Sequence, residues 1–424
     1  MTSYFRGGAW RVIFVYSLAQ NCALGFGYGS FGPLLASTEA RFHVTRAVAT
    51  LGMSLITLAI SISSPLAAGL LRKTSVRLAM MFGAILSSAG YWGLALFAGF
   101  GQALAMYALI GLGITLLAIL GPVIVVNRWF DEGRAKILSL VNLPIMMFAV
   151  PFIVAELLPI VGRLLVLASM GVLFLALIPL LMLVADRPPA IAASELDLPA
   201  SAQRNSVMLT LGAFSAEDRR ILASPRFWLL SYAIGAIAGS GTAFMVHVVP
   251  FGTAQGMTLQ SASGLLSVYA GAGIFGTLFF GWLCDKVGPY VAVLTSAASQ
   301  AVLWLVLTGA HGATLFGVSA ALGICVVPLV TYHGASLSEL FGPELVGRAM
   351  GFSYALKLPF LFCFAPFVAF LFDRFGNYRV AFLVTALILT TAAMALFALV
   401  LSARRRGEAL RGPVAPPCHR PEPG

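Results

Sequence analysis

Gly281-Trp282-Leu283-Cys284-Asp285-Lys286-Val287-Gly288 separates two long apolar runs and has an altered counterpart 212 positions earlier. There Gly69-Leu70-Leu71-Arg72-Lys73-Thr74-Ser75-Val76-Arg77 also separates two apolar runs. A second pair of landmarks keeps nearly the same offset: Gly133-Arg134-Ala135 and Gly347-Arg348-Ala349, 214 positions apart. Landmarks sharing an offset of half the chain length describe two parallel structural repeats.

Outward from these landmarks, each repeat holds six apolar runs. They fall at about 12–36, 47–71, 78–100, 103–126, 137–162 and 164–185, and then at about 227–250, 261–283, 289–310, 312–338, 349–372 and 380–403. Each approaches or exceeds the ~20 residues that carry a helix across a hydrocarbon core about 30 Å thick. Lipid offers the backbone no hydrogen-bond partner, so spans are helices or closed barrels, and these runs are too long for barrel strands. The chain is 60% hydrophobic and 10% charged, against about 25% charged in a soluble domain. The predicted fold is an all-α integral membrane protein of twelve transmembrane helices. Its N-terminal half covers 1–185, a linker 186–226, its C-terminal half 227–403 and a polar tail 404–424. Val12 to Ala36 is too long for the apolar core of a signal peptide and reads as a retained first span.

The net charge of +11 lies in loops rather than in a basic domain or aromatic-basic array, which argues against nucleic acid as partner. With the N-terminus inside, 20 of the 26 Lys and Arg fall in inside segments. Only Arg41, Arg46, Arg163, Arg374 and Arg379 fall outside. This bias places both termini and the linker in the cytoplasm. Five cysteines without CxxC spacing supply neither a disulfide framework nor a metal site. No phosphate loop, HExxH or Gly-x-Ser-x-Gly elbow appears, so no cofactor and no enzyme activity are expected.

The six-plus-six pattern and the loop motifs resemble the major facilitator superfamily. Gly281, Asp285, Lys286 and Gly288 match that family's loop motif, and Arg134 and Arg348 begin the fifth and eleventh spans in both halves. The earlier loop departs from the motif, with Lys73 where the acid would stand. Within the superfamily the chain is similar to monocarboxylate porters and oxalate–formate exchangers. The residues carrying that likeness are Tyr28-Gly29-Ser30-Phe31-Gly32-Pro33, Trp129-Phe130, His247-Val248-Val249-Pro250 and Phe372-Asp373-Arg374-Phe375-Gly376. The resemblance implies alternating-access transport of a small organic anion, by a monomer in a cell membrane such as a bacterial inner membrane.

Full charges inside spans are expensive and mark function. Lys357, about 12 Å deep by helical rise, is the candidate cation for a substrate carboxylate, and the alternatives are an ion pair or snorkelling. His333, Tyr332, Tyr28, Phe31 and Asn21 are candidate substrate-binding partners. Glu156 and His247 are candidate proton carriers, because a carboxyl or imidazole inside a membrane can exchange a proton near working pH. Packing and interhelical hydrogen bonds are the competing reading for each. A proton carried with a monoanion cancels its charge, which makes symport economical, with anion exchange and export of a hydrophobic compound as alternatives. A membrane sensor without transport is a further alternative, although no large signalling domain is evident.

Overall fold

The computed structural model describes residues 9–73, 75–121, 125, 129, 141, 143–184 and 216–405. It begins with a span that glycine remodels. Helix α1 (Ala9–Leu24) passes into a π-helical turn, Gly25–Gly29, and then into α2 (Phe31–Phe42). The sequence suggests one uninterrupted span here. The wider turn occurs where alternate residues lack side chains, and the Ser30 hydroxyl donates to the Phe26 carbonyl at 2.6 Å.

Helices α3 (Arg46–Lys73), α4 (Val76–Leu96) and α5 (Phe100–Ile114) follow, and α5 ends in a second π turn, Thr115–Leu120. Helix α6 (Ile145–Met182) is about 57 Å long by helical rise, twice what one crossing needs. Gly162 breaks it at φ 76°, ψ 166°, a region essentially reserved for glycine. The contacts on either side show a reversal. Before the break, Met146 meets Asn21 and Pro151 lies against Gly29, in the direction of α1. After it, Arg163 reaches the Leu94 carbonyl and Gly171 lies against Ser88, against the direction of α4. Helix α6 therefore contains two spans.

The second half comprises α7 (Ala216–Leu222), α8 (Pro225–Ala254), α9 (Leu259–Val287), α10 (Pro289–Leu307), α11 (Ala313–Val326), α12 (Leu329–Phe375) and α13 (Arg379–Arg405). Gly342 (φ 78°, ψ 169°) breaks α12 between the tenth and eleventh spans. Gly288 (φ 95°) forms the turn between α9 and α10. Ten segments among the described residues are long and apolar enough to cross a membrane. Counting α6 as two spans and the broken α1–α2 as one gives twelve, in an all-α membrane fold.

Two apolar cores form. One gathers Tyr16, Met53, Met80, Tyr91 and Phe174. The other gathers Phe227, Tyr269, Phe280, Trp304 and Tyr332. We call the side where α8 begins the linker face and the side of the α2–α3 turn the opposite face. Alanine at Gly162 forces a side chain into a glycine-only conformation, a cost of about 1–3 kcal/mol. Thermal unfolding in detergent is expected to fall measurably for Gly162→Ala and to hold or rise for Gly101→Ala, whose helical site has open space around it. Equal melting temperatures for the two variants would contradict the strained turn.

Candidate functional site

Lys357 is 6% exposed and lines a cavity of about 580 Å³ between the two halves. One wall is α3, with Thr57, Ile60, Ser61 and Ser64; the other is α12, with Tyr354, Leu358 and Leu361; Tyr28 joins from the π turn. The hydroxyls of α3 are committed to their own helix. Ser61 donates to the Thr57 carbonyl at 2.9 Å, Ser64 to the Ile60 carbonyl at 2.6 Å, and Thr57 to the Ser54 carbonyl at 2.9 Å. The donors left to face a guest are therefore the Lys357 ammonium and the phenols of Tyr28 and Tyr354.

The Lys357 Nζ lies 3.7 Å from the centroid of the Tyr354 ring. This contact partly satisfies a desolvated cation but leaves its charge uncancelled. No carboxylate lies within ion-pair distance of Lys357 among the described residues. The site can thus receive one negative charge on an otherwise apolar body. Tyr354 was not singled out in the sequence, although its i, i+3 spacing to Lys357 puts both on one helix face.

His333 is near this group, one layer behind the cavity wall. Its Nε2 is 2.9 Å from the Ser353 hydroxyl, its Nδ1 is buried without a partner, and its ring lies 5.7 Å from that of Tyr354. Ser231 of α8 donates to Ser353 at 3.1 Å. Tyr332 faces elsewhere. Its hydroxyl meets Ser296 and the Cys325 carbonyl, both at 3.0 Å, inside the C-terminal core. Asn21 joins helices, accepting from the Met146 amide at 3.1 Å and donating to the Ser17 carbonyl at 3.0 Å. Phe31 is buried against Tyr107. Glu156 is half-buried on α6 and is not in the cavity wall.

His247 belongs to a different cluster, on the opposite face. Its Nε2 lies 2.9 Å from the Ala365 carbonyl, which can only accept, so Nε2 carries the proton. In the neutral ring Nδ1 then accepts from the Tyr378 hydroxyl at 3.3 Å. The same phenol oxygen accepts from Arg46 at 3.0 Å, and Arg46 forks onto Glu39 at 2.8 and 3.4 Å. Arg46 also stacks 4.4 Å from the centroid of Phe372, and the Ala47 amide donates to Asp373 at 3.0 Å. Ser54 donates to the Phe362 carbonyl farther along the same seam. These contacts tie α3 to α8, α12 and the α12–α13 turn, closing the halves on this face. The sequence showed Arg46 only as an outside cation, since Tyr378, its hydrogen-bond partner in the other half, lies 332 positions away.

At the linker face, Arg348 reaches Glu217 and Asp218 of α7, both at 3.2 Å. Asp285 and Lys286 are exposed at the end of α9, while Gly281 is half-buried, and the Gly288 amide donates to the Cys284 carbonyl at 3.0 Å. Arg134 lies outside the described residues.

The opposite-face closure yields a direct expectation. Tyr378→Phe removes the hydroxyl shared by Arg46 and His247, a loss of about 1.5–3 kcal/mol for a hydrogen bond to a charged group. Spin labels on cysteines at Arg41 and Arg374 are expected to report longer distances in the variant, with the closed population reduced roughly ten- to a hundredfold relative to open. An unchanged distance distribution would show that the phenol does not hold the halves together.

The profile of the Major Facilitator Superfamily matches residues 18–308 and 265–417. Human monocarboxylate transporter 12 is 27% identical over 169 residues, which are 37% of this chain and 31% of that protein. The chain thus matches about a third of that relative's length. The oxalate:formate antiporter of Oxalobacter formigenes is 24% identical over 340 residues, 74% of this chain and 73% of that one. Among solved structures, a bacterial homolog of the human lysosomal transporter Spinster, inward-facing and unoccupied, superposes with TM-score 0.74 at 13% identity. That superposition covers 98% of this chain and 100% of the other and speaks to the fold. With a profile match along nearly its whole length and this multi-pass architecture, the chain belongs to the Major Facilitator Superfamily of membrane transporters.

Proposed function

We propose that this transporter carries a small organic monoanion with an apolar or aromatic body, held at its carboxylate by Lys357. The observation that carries the reading is a buried ammonium on a cavity wall with no carboxylate in reach among the described residues. A buried charge left unpaired is strongly destabilising, and an arriving carboxylate supplies the missing partner. Tyr28 and Tyr354 offer hydroxyls beside it, and Ile60, Leu358 and Leu361 line the rest. The two relatives add support by their names alone, one a monocarboxylate transporter and the other an antiporter of two carboxylates.

The proposed mechanism is alternating access around this cavity by a monomer in the cell membrane, with both termini and the linker in the cytoplasm. Bringing a monoanion into a negative-inside cell costs about 2.3 kcal/mol per 100 mV, and one co-transported proton cancels that cost. His247 and Glu156 are the proposed proton carriers. His247 has the stronger geometric support, because protonating its Nδ1 removes the acceptor that Tyr378 uses in the opposite-face closure. Exchange of one anion for another is the second reading, favoured by the antiporter relative that aligns along three quarters of this chain.

The test is uptake of a labelled carboxylate panel into proteoliposomes. Lys357→Gln is expected to weaken binding of an identified anion by about 1.5–3 kcal/mol, roughly ten- to a hundredfold in apparent KM, or to stop transport. Lys357→Arg should retain more activity, with equal protein in the membrane. Unchanged affinity and rate in Lys357→Gln would return Lys357 to a structural role.

Coupling is read separately. His247→Gln or Glu156→Gln is expected to lose accumulation driven by an imposed pH gradient while keeping counterflow of substrate. Normal accumulation in both variants would remove these groups from coupling. Counterflow without pH-driven accumulation in the unaltered protein would favour exchange.

A further inference from the structure

The N-terminal half encloses a small void separate from the cavity at Lys357. It measures about 20 Å³, room for one water-sized particle, and Ser30, Thr38, Tyr91, Tyr107 and Arg163 bring polar groups to its wall. Adjacent residues divide the two spaces: Gly27 and Ile56 line this one, Tyr28 and Thr57 the other. Arg163 follows Gly162 directly, so the glycine-only turn inside α6 sets its placement. One edge of its guanidinium has a structural task. Nη1 donates to the Leu94 carbonyl at 2.8 Å, in the last turn of α4, where helical carbonyls lack partners. The other edge has none, since Nε is buried without a hydrogen-bond partner. No carboxylate lies within ion-pair distance of Arg163 among the described residues. The ionisable groups that act on the guanidinium are the Tyr107 phenol and a second cation, Arg41.

We infer that this void is a binding site for one monatomic anion of the halide class, held by the Arg163 Nε–H and the Tyr107 phenol. A buried charge without a counter-charge is costly, and hydrogen bonds to an ionised partner are the strong ones. A water molecule there accepts the Nε–H but leaves the charge uncancelled. The Ser30 and Thr38 hydroxyls have given their protons to the Phe26 and Leu34 carbonyls, at 2.6 and 2.9 Å. The buried phenols of Tyr91 and Tyr107 are the rotatable donors at the wall. Size selects the class. A space for one water-sized particle admits a halide and excludes a carboxylate with a carbon body, which fits the cavity of about 580 Å³ at Lys357. The groups at the wall come from α2, α4, α5 and the second span of α6, so occupancy fastens four helices of one half together. The site is independent of the solute the protein transports.

Thermal melting of the full-length protein in a neutral detergent tests this with sodium chloride, sodium bromide and sodium gluconate at one ionic strength. Chloride and bromide are expected to raise the melting temperature along a saturating curve, as a ligand of the folded state does, and gluconate to leave it unchanged. R163Q should lose the halide increment, read against its own gluconate baseline. R374Q, an exposed cation on the same face, should keep it. If R163Q does not fold, Y107F serves, since it keeps the ring against Phe31 and removes the phenol donor; its saturation should need several-fold more chloride. Crystals grown in bromide should show an anomalous-scattering peak between Arg163 and Tyr107. Equal stabilisation by chloride and gluconate, a full increment in R163Q or an unshifted curve in Y107F, or a void holding water and no bromide would overturn the assignment.

Discussion

Lys357 places a cation on the wall of an interhelical cavity with no carboxylate at ion-pair distance among the described residues, and the rest of the site is arranged around it. The ring of Tyr354 lies under the ammonium, and the α3 hydroxyls across the cavity have given their protons to their own helix. Such back-bonding satisfies a hydroxyl in an apolar medium at the cost of its availability as a donor. The cavity is consequently poor in donors except at Lys357, Tyr28 and Tyr354. A cavity of this kind discriminates by charge at one end and by apolar contact elsewhere.

The same two helices that line the cavity also form the opposite-face closure. Helix α3 carries Arg46, Ala47 and Ser54 at one end and Thr57, Ser61 and Ser64 nearer the other. After its break, α12 carries Tyr354 and Lys357, then Phe362 and Ala365, then Phe372 and Asp373. Lys357 and Asp373 are about 24 Å apart along that helix by its rise. A stiff helix turns a small displacement at one end into a displacement of opposite sign at the other when it pivots between. In this structure the seam is made at Arg46, Ser54 and Tyr378, and the space lies beside Lys357. This is the physical content of the proposed rocking about a central site.

Much of the architecture was legible because lipid permits few solutions. Length and apolarity fixed the spans, but they read the first as uninterrupted and did not show the π turn at Gly25–Gly29. Gly162 and Gly342 did not announce themselves, since their importance is a backbone angle rather than a composition. At the site, Lys357 was visible as a charge in the wrong solvent. Facing was not legible. Tyr332 adjoins His333 in sequence, yet the helical turn sends its phenol to Ser296 while His333 meets Ser353. The Glu39–Arg46–Tyr378–His247 chain was invisible for a different reason: its link between the halves joins Arg46 to Tyr378, 332 positions apart, and nothing in a single sequence pairs them.

The closure and the cavity must also be matched in energy. A ligand shifts a conformational equilibrium only by the difference in its affinity for the two states. The opposite-face seam includes hydrogen bonds to charged groups, each about 1.5–3 kcal/mol, and on the proposed function a carboxylate on Lys357 forms bonds of the same kind. Were the seam absent, the halves would open without regard to the solute and dissipate its gradient. On the proposed function, a seam that includes an imidazole, whose protonation removes one of its bonds, is one that a small anion and a proton can both bias.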